Sequence, residues 1–319
     1  MSFKDIRGQD KPIQMLKDHM NQGRLAGAYL FTGPEGVGKI LTAKTLAKAV
    51  NCLGGNFEAC GECVSCLKID KAQHPDVHII DSEGAEIKIE LIRQLQGQIA
   101  LRPYEGKKKV FIINNAHDLN LASSNAFLKT LEEAPGESLI ILVSEKPSLL
   151  LKTIISRCRI LKFNPLARPE LEAILTKDYS LEAGLAHFLA YFCEGRLGHA
   201  LRLKDADILK EKNRVIDEFV FQGSTGLEKN KPHKREEARE SLNILACWFR
   251  DLYLIKTGMP HSELINLDRK NELLKSMQQF SFFELDEILN SISGSLLYVG
   301  QNINIKLLKS NLKAEIWKG

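Results

Sequence analysis

Two groups of residues in this chain have the types and the spacing to do chemistry. The first is Gly33-Pro34-Glu35-Gly36-Val37-Gly38-Lys39-Ile40. Glycines at that spacing let backbone N–H groups curl around phosphate oxygens, and a lysine behind them adds a point charge. Gly33, Gly36, Gly38 and Lys39 are therefore the candidate nucleotide-binding residues. The pattern G-x-x-x-x-G-K-[ST] fails at its last position. Ile40 stands where a hydroxyl would help to hold Mg²⁺, and an aliphatic side chain cannot ligate a hard cation. The second group is Cys52, Cys60, Cys63 and Cys66, in which the last three are each two residues apart. Thiolates at that spacing can point at one tetrahedral ion, and four of them close a structural site with no open position for catalysis. A redox pair or an accidental cluster would be the competing readings; the four-ligand spacing favours structural Zn²⁺.

Both groups need elements to position them. An apolar run, Ala28–Phe31, precedes the glycines and a helical pattern, Lys39–Val50, follows, which is the strand–turn–helix setting a phosphate loop requires. A helix is expected before it over Ile13–Met20. Further buried-strand patterns are Asp76–Ile80, Val110–Ile113, Ser138–Val143 and Arg159–Phe163, with helical spacing over Ile89–Leu101, Leu121–Glu133 and a helical stretch at Leu149–Lys152. Strands alternating with helices indicate an α/β P-loop domain over residues 1–165, a parallel sheet flanked by helices with a zinc knuckle inserted at 52–66. Beyond Pro165 only helical periodicity remains. It divides into a small helical block, 166–204, and a larger all-α block, 205–319, interrupted by a charged stretch from Ser224 to Glu240 that reads as a solvated loop and helix start.

An ATP-hydrolysing site would also need acidic residues at the end of a buried strand, one to hold Mg²⁺ and one to polarise water. The strand Val110–Ile113 is followed instead by Asn114-Asn115, and an amide cannot act as a base at neutral pH. Asp118 falls beyond the site by spacing. His74-Pro75-Asp76 and His117-Asp118 lack a nucleophile partner and read as structural positions, and Arg157 in Ser156-Arg157-Cys158 reads, by itself, as a surface ion pair. Hydrolysis by this chain is not expected, and binding of ATP without hydrolysis stays an open question.

The 319 residues are 44% hydrophobic and 26% charged with a net charge of +4, an ordinary globular composition that tolerates nucleic-acid contact without demanding it. No apolar run is long enough to span a membrane, and the charged start Met1–Asp5 lacks the apolar core of a signal peptide, so a cytoplasmic protein is expected. Cys158, Cys193 and Cys247 lie alone in apolar surroundings and read as small hydrophobes.

With the glycine loop, the four cysteines and Ser156-Arg157-Cys158 in one order, the chain resembles bacterial clamp-loader subunits of the AAA+ class. Further matching stretches are Arg24–Tyr29, Asn125–Pro135 and Thr153–Cys158, and Asn302–Leu307 looks like the closing helix of that family. The likeness is strong over about 1–165, weaker to about 203 and one of pattern beyond. It implies a RecA-like AAA+ domain, a helical lid at 166–204 and a helical collar for oligomerisation at 205–319. The implied partners are the motor subunits (tau/gamma), the delta subunit, a sliding clamp and primer–template DNA. Motor subunits keep the hydroxyl, the acids, a polar sensor near Ser144-Glu145 and a lid arginine near Gly198. This chain has Ile40, Asn114, Asn115, Glu145 and Gly198, so the resemblance implies a non-hydrolysing ring member. It also implies a catalytic role in trans for Arg157, as an arginine finger reaching a neighbour's ATP, a contribution of about 10³–10⁵ in rate. DNA contact would be to backbone phosphates, with Arg93, Arg102 and Lys107–Lys109 as candidates. The competing readings are an ATP-hydrolysing subunit with relaxed motifs and a non-replicative scaffold that borrowed the module.

Overall fold

The fold was described from a computed structural model, which defines residues 2–82, 86–133, 135–222, 235–299 and 304–317. Ala134, most of the basic run between Lys229 and Arg235, and Asn302 with Ile303 lie outside these residues. The chain divides into two units, Met1–Leu166 with Arg196–His199, and Ala167–Gly195 with Ala200–Gly319.

The first unit opens on α1 (Asp10–Asn21), β1 (Ala28–Thr32), α2 (Lys39–Asn51) and a short α3 (Val64–Asp70). It continues through β2 (Val77–Ile80), α4 (Ile89–Ile99), β3 (Lys109–Ile113), α5 (Leu121–Glu133), β4 (Ser138–Ser144), α6 (Lys152–Ile155) and β5 (Arg159–Lys162). The five strands form one parallel sheet in the order β2-β3-β4-β1-β5. Successive strand residues face opposite sides, so each central strand is apolar on both faces. Tyr29 and Phe31 join a layer with Leu16, Met20, Leu46 and Val50 of α1 and α2. Ala28 and Leu30 join a second layer with Ile92, Leu95, Phe127 and Ile154 of α4, α5 and α6. The sheet is thus covered on both faces, and the phosphate loop leaves β1 at its carboxyl end, where open α/β sheets bind ligands.

The strands expected from sequence are present to within a residue or two. Two helical features differ. The helical stretch expected at Leu149–Lys152 is a 3₁₀ turn at Pro147–Leu149 followed by α6 at Lys152–Ile155, with Leu150 between them in extended backbone. The sequence reading also passed over α3, whose N-cap is Cys63, one of the four clustered cysteines.

The second unit is helical throughout its described residues: α7 (Arg168–Lys177), α8 (Ala183–Phe192), α9 (Leu197–Asp205), α10 (Ile208–Ile216), α11 (Arg235–Lys256), α12 (Lys270–Ser276), α13 (Phe282–Val299) and α14 (Ile305–Ile316). The first turn of α9 is grouped with the first unit. α11 packs along α13, burying Trp248, Phe249 and Leu252 with Leu285, Ile288 and Ile292. Asp251, fully buried, accepts the N–H groups of Ile265 and Asn266 and so fixes the loop before α12. No described helix is long and apolar enough to cross a membrane.

Candidate functional site

The lysine of the phosphate loop is bonded to its own loop. Gly33 has φ +142°, and a Cβ there would sit 2.2 Å from the carbonyl oxygen of Phe163, so only glycine fits where β1 passes β5. Lys39 is 7% exposed and donates from Nζ to the carbonyl oxygens of Gly33 at 2.6 Å and Pro34 at 2.5 Å. Burial pulls its ammonium down to about 8, against the opposing pull of Glu145 and Glu35. Gly36, in turn, accepts at its carbonyl from the backbone N–H of Gly198 at 2.7 Å. A Cβ on residue 198 would stand 2.9 Å from that same oxygen. Position 198 is thus part of a close backbone contact with no room for a side chain. Gly38 caps α2, and Ile40, at the position of the absent hydroxyl, packs against the apolar layer under the sheet.

The groups around the loop are of mixed sign. A cleft of about 490 Å³ is lined by Glu35, Glu145, Lys146, Lys162 and Arg196 beside Gly33. Burial pushes the Glu145 carboxyl up, but Lys146, His117 and Lys39 outweigh it and hold the group below the usual carboxylate range. Glu145 is therefore a carboxylate at neutral pH, facing where polyphosphate charge would gather.

The two amides have another occupation. Asn114 Nδ2 donates to Asp81 Oδ2 at 2.9 Å and Asn115 Nδ2 to Asp81 Oδ1 at 3.3 Å, so both amides pair with a carboxylate one residue beyond β2. Asp81 was missed by the sequence reading; its position one residue past a strand end was the available signal. Asp118 accepts from Ser82 Oγ at 2.5 Å, and His117 Nδ1 lies 3.3 Å from Ser144 Oγ. Asp76 is fully buried and accepts the N–H groups of Tyr104, Glu105 and Gly106 at 2.7–2.8 Å. Burial opposes its charge, but those three donors prevail and its carboxyl stays below the usual range. It organises a loop, and His74, 4% exposed, accepts from its N–H.

The cysteines come together. One sulfur from each of Cys52, Cys60, Cys63 and Cys66 lies within 4.8 Å of all the others, and Cys60 and Cys66 Sγ are 3.9 Å apart. Sulfurs about 2.3 Å from a tetrahedral ion would stand close to that separation. The N–H of Cys63 points at Cys60 Sγ (3.3 Å) and that of Cys66 at Cys63 Sγ (3.5 Å). The backbone N–H groups of Glu62 and Cys63 draw the Cys60 thiol down to about 6, whereas burial pushes Cys66 up to about 12. This donor set fits a soft divalent cation, which would take all four as thiolates.

Lys107 and Asn51 tie the cluster to the neighbouring loop: Lys107 Nζ donates to the carbonyl of Cys52, and Asn51 pairs with both backbone groups of Lys108. Of the basic side chains expected to meet DNA, Lys109 is a correction. It is 6% exposed and donates to the carbonyl of Gln98, inside the sheet's flank. Lys108 donates to the carbonyl of Gly136, while Arg93 and Arg102 are exposed.

Arg157 lies elsewhere. It follows α6 and precedes β5, on a turn fixed by its own N–H to the carbonyl of Ile154 and by Cys158, whose thiol burial pushes up to about 12. β5 pairs with β1 in parallel, Arg159 level with Tyr29 and Lys162 with Thr32. Arg157 therefore lies beyond the amino end of this strand pair and Gly33 beyond the carboxyl end. Four residues separate the levels of Tyr29 and Gly33, about 13 Å of strand. The guanidinium is turned to α5: Nε and a terminal nitrogen donate to Glu132 Oε1, and the other terminal nitrogen donates to the carbonyl of Thr153. The side chain is still 35% exposed.

Residues 8–167 match the family described as DNA polymerase III, delta subunit, and residues 207–312 match its C-terminal domain. The chain is 29% identical to the DNA polymerase III subunit delta' of Bacillus subtilis, over 100% of this chain and 99% of that one. It is 31% identical to the subunit tau of the same organism, over 90% of this chain and 57% of tau. A solved gamma subunit-related protein of Thermotoga maritima overlaps 96% of this chain and 98% of its own, at 18% identity and a TM-score of 0.47.

Proposed function

The chain belongs to the DNA polymerase III delta subunit family, among the clamp-loader proteins, and from that membership we propose that it is a non-hydrolysing, delta'-type ring member of the AAA+ class. In this reading it holds one end of a clamp-loader ring with tau/gamma motor subunits and a delta subunit, and helps them place a sliding clamp on primed DNA. The one observation that carries it is the placement of Arg157. The arginine is exposed at the end of the β1–β5 pair opposite to the chain's own phosphate loop, so any phosphate it meets belongs to another molecule.

The division of labour follows. The loop Gly33–Ile40 keeps the shape of a nucleotide site, but Lys39 is bonded to its own loop carbonyls, the acids at the strand end are amides, and Gly198 seals Gly36. Arg157 supplies a planar guanidinium to the ATP of a neighbouring motor subunit, where charge develops on the γ-phosphoryl. The cysteine cluster holds Zn²⁺ as a structural ion. Residues 1–165, 166–204 and 205–319 act as core, lid and collar. The chain works in the cytoplasm, and DNA is met through the assembled ring.

A second reading has one observation in its favour: the identity to tau is as high as that to delta'. An ATP-hydrolysing subunit would show Mg²⁺-dependent turnover by the isolated chain, lost in Lys39→Ala. Our reading predicts no turnover, and weak or absent ATP binding with little Mg²⁺ dependence in isothermal titration. Turnover by the purified chain would replace the first reading by the second.

A further inference from the structure

An arginine that must meet a phosphoryl group on another chain has to be held ready without being used up, and the hydrogen bonds at Arg157 meet both conditions. A guanidinium carries five N–H donors in a fixed plane. At Arg157, Nε–H and one N–H of a terminal nitrogen are taken by a single oxygen of Glu132, and one N–H of the other terminal nitrogen is taken by the Thr153 carbonyl at 2.9 Å. That leaves one N–H on each terminal nitrogen. Both terminal nitrogens thus keep a donor for the oxygens of a phosphoryl group. Neither of these two N–H groups has a partner among the described residues.

Glu132 is itself held firmly enough to serve as a reference point. It lies in the last turn of α5, and α5 is fixed to α4 where Gln96 Nε2 donates to the carbonyl of Ala126 at 2.9 Å and to Thr130 Oγ1 at 3.0 Å. The turn carrying Arg157 is anchored by Ile154, buried in the same apolar layer. Both ends of the Glu132–Arg157 contact are thus set by packed elements, and only the side chains are partly exposed. An exposed ion pair of this kind adds about 0–1 kcal/mol to stability, too little to explain it as a fold-holding device. Its effect is to remove the rotamer freedom of a long side chain before an encounter.

We propose that Glu132 is the positioning residue for Arg157, orienting its guanidinium so that its remaining N–H groups meet the phosphoryl oxygens of a neighbouring subunit's nucleotide. The inference rests on the reading that Arg157 acts in trans. Glu132 touches neither the nucleotide nor the reacting atoms. Removing it leaves the arginine charged and present but spread over many rotamers, and misplacement of a catalytic group by about 1 Å can cost on the order of 10²-fold.

The test joins a spectroscopic readout of the full-length chain to kinetics of the ring reconstituted with its motor subunits. In the isolated chain, Glu132→Ala shifts the Arg157 Nε–Hε resonance and speeds its exchange with water, with the melting temperature unchanged. In the ring, Glu132→Ala lowers kcat for DNA-stimulated ATP hydrolysis at the adjoining site by about 10- to 10²-fold with KM for ATP unchanged. Glu132→Gln, which keeps an acceptor oxygen, recovers part of that loss. Combining Glu132→Ala with Arg157→Ala costs no more than Arg157→Ala alone. An unmoved resonance, or a further loss in the double variant, overturns the positioning role while leaving the trans role intact. An Arg157→Ala ring with normal kcat overturns the trans reading and this inference with it, and the resonance then reports only a surface ion pair.

Discussion

The two ends of the β1–β5 strand pair make opposite use of their polar groups. At the carboxyl end, Lys39 donates to the carbonyls of Gly33 and Pro34, the Gly36 carbonyl accepts from Gly198, and Asn114 and Asn115 donate to Asp81. At the amino end, Arg157 spends three donors on Glu132 and Thr153 and keeps two. The carboxyl end is closed to hydrolysis, lacking the hydroxyl and the acids that hold Mg²⁺ and polarise water, whereas the amino end stays open to a further acceptor.

In the proposed reading the cysteines hold Zn²⁺, and its removal is expected to have the largest effect. Chelation, or Cys66→Ser, should release the 52–66 segment and lower the melting temperature strongly, since binding energy at structural Zn²⁺ sites is folding energy. Through Lys107 and Asn51 the amides of Tyr104–Gly106 should exchange faster as well, while the Arg157 resonance stays put. Hydrogen exchange before and after chelation measures both. Movement at Arg157 would mean that it is coupled to the cysteine cluster.

Asp76→Ala comes next, at about 3 kcal/mol, because three backbone N–H groups lose a buried charged acceptor. The carboxyl is held below its ordinary value, so its stabilisation is complete above the unfolded value of about 3.9 and fades as pH falls through the lower folded one. Acid unfolding monitored by circular dichroism should show a component below about pH 4 that the variant lacks.

Gly198→Arg is the direct attempt to restore the lid arginine. Its Cβ meets the Gly36 carbonyl at 2.9 Å, so a loss of about 1–3 kcal/mol in urea melts is expected, with no gain in ATP binding. A stable variant that binds ATP would break the contrast between the closed and the open end. The smallest effect is expected from Ile40→Thr, which returns the hydroxyl at a cost of about 1 kcal/mol in core packing. It should gain no Mg²⁺-dependent turnover, because Asn114 and Asn115 remain committed to Asp81.

Much of the first unit was legible because buried parallel strands write continuous apolar runs, as Val110–Ile113 and Ser138–Val143 do. The four cysteines were legible because tetrahedral ligation imposes a spacing. What escaped depends on neighbours distant in sequence. Asp81 has meaning only once β2 and β3 are adjacent, and Lys109, in a run of three lysines, reads as solvent-facing until its strand places it beside Gln98. Glu132 and Arg157 are 25 residues apart, beyond any helical or strand period, so their contact left no trace in the pattern. Gly198 could be read as a lost arginine, but not as a contact that forbids one.

The central claim is that this chain does no chemistry at Gly33–Ile40 and contributes Arg157 to the next subunit. It is tested most directly by DNA-stimulated ATP hydrolysis of rings reconstituted in parallel with the Lys39→Ala and the Arg157→Ala chain. The account predicts turnover within about twofold of the unaltered ring for Lys39→Ala and a loss of about 10³-fold at the adjoining site for Arg157→Ala. The reverse pattern, with Lys39→Ala costly and Arg157→Ala silent, would contradict it.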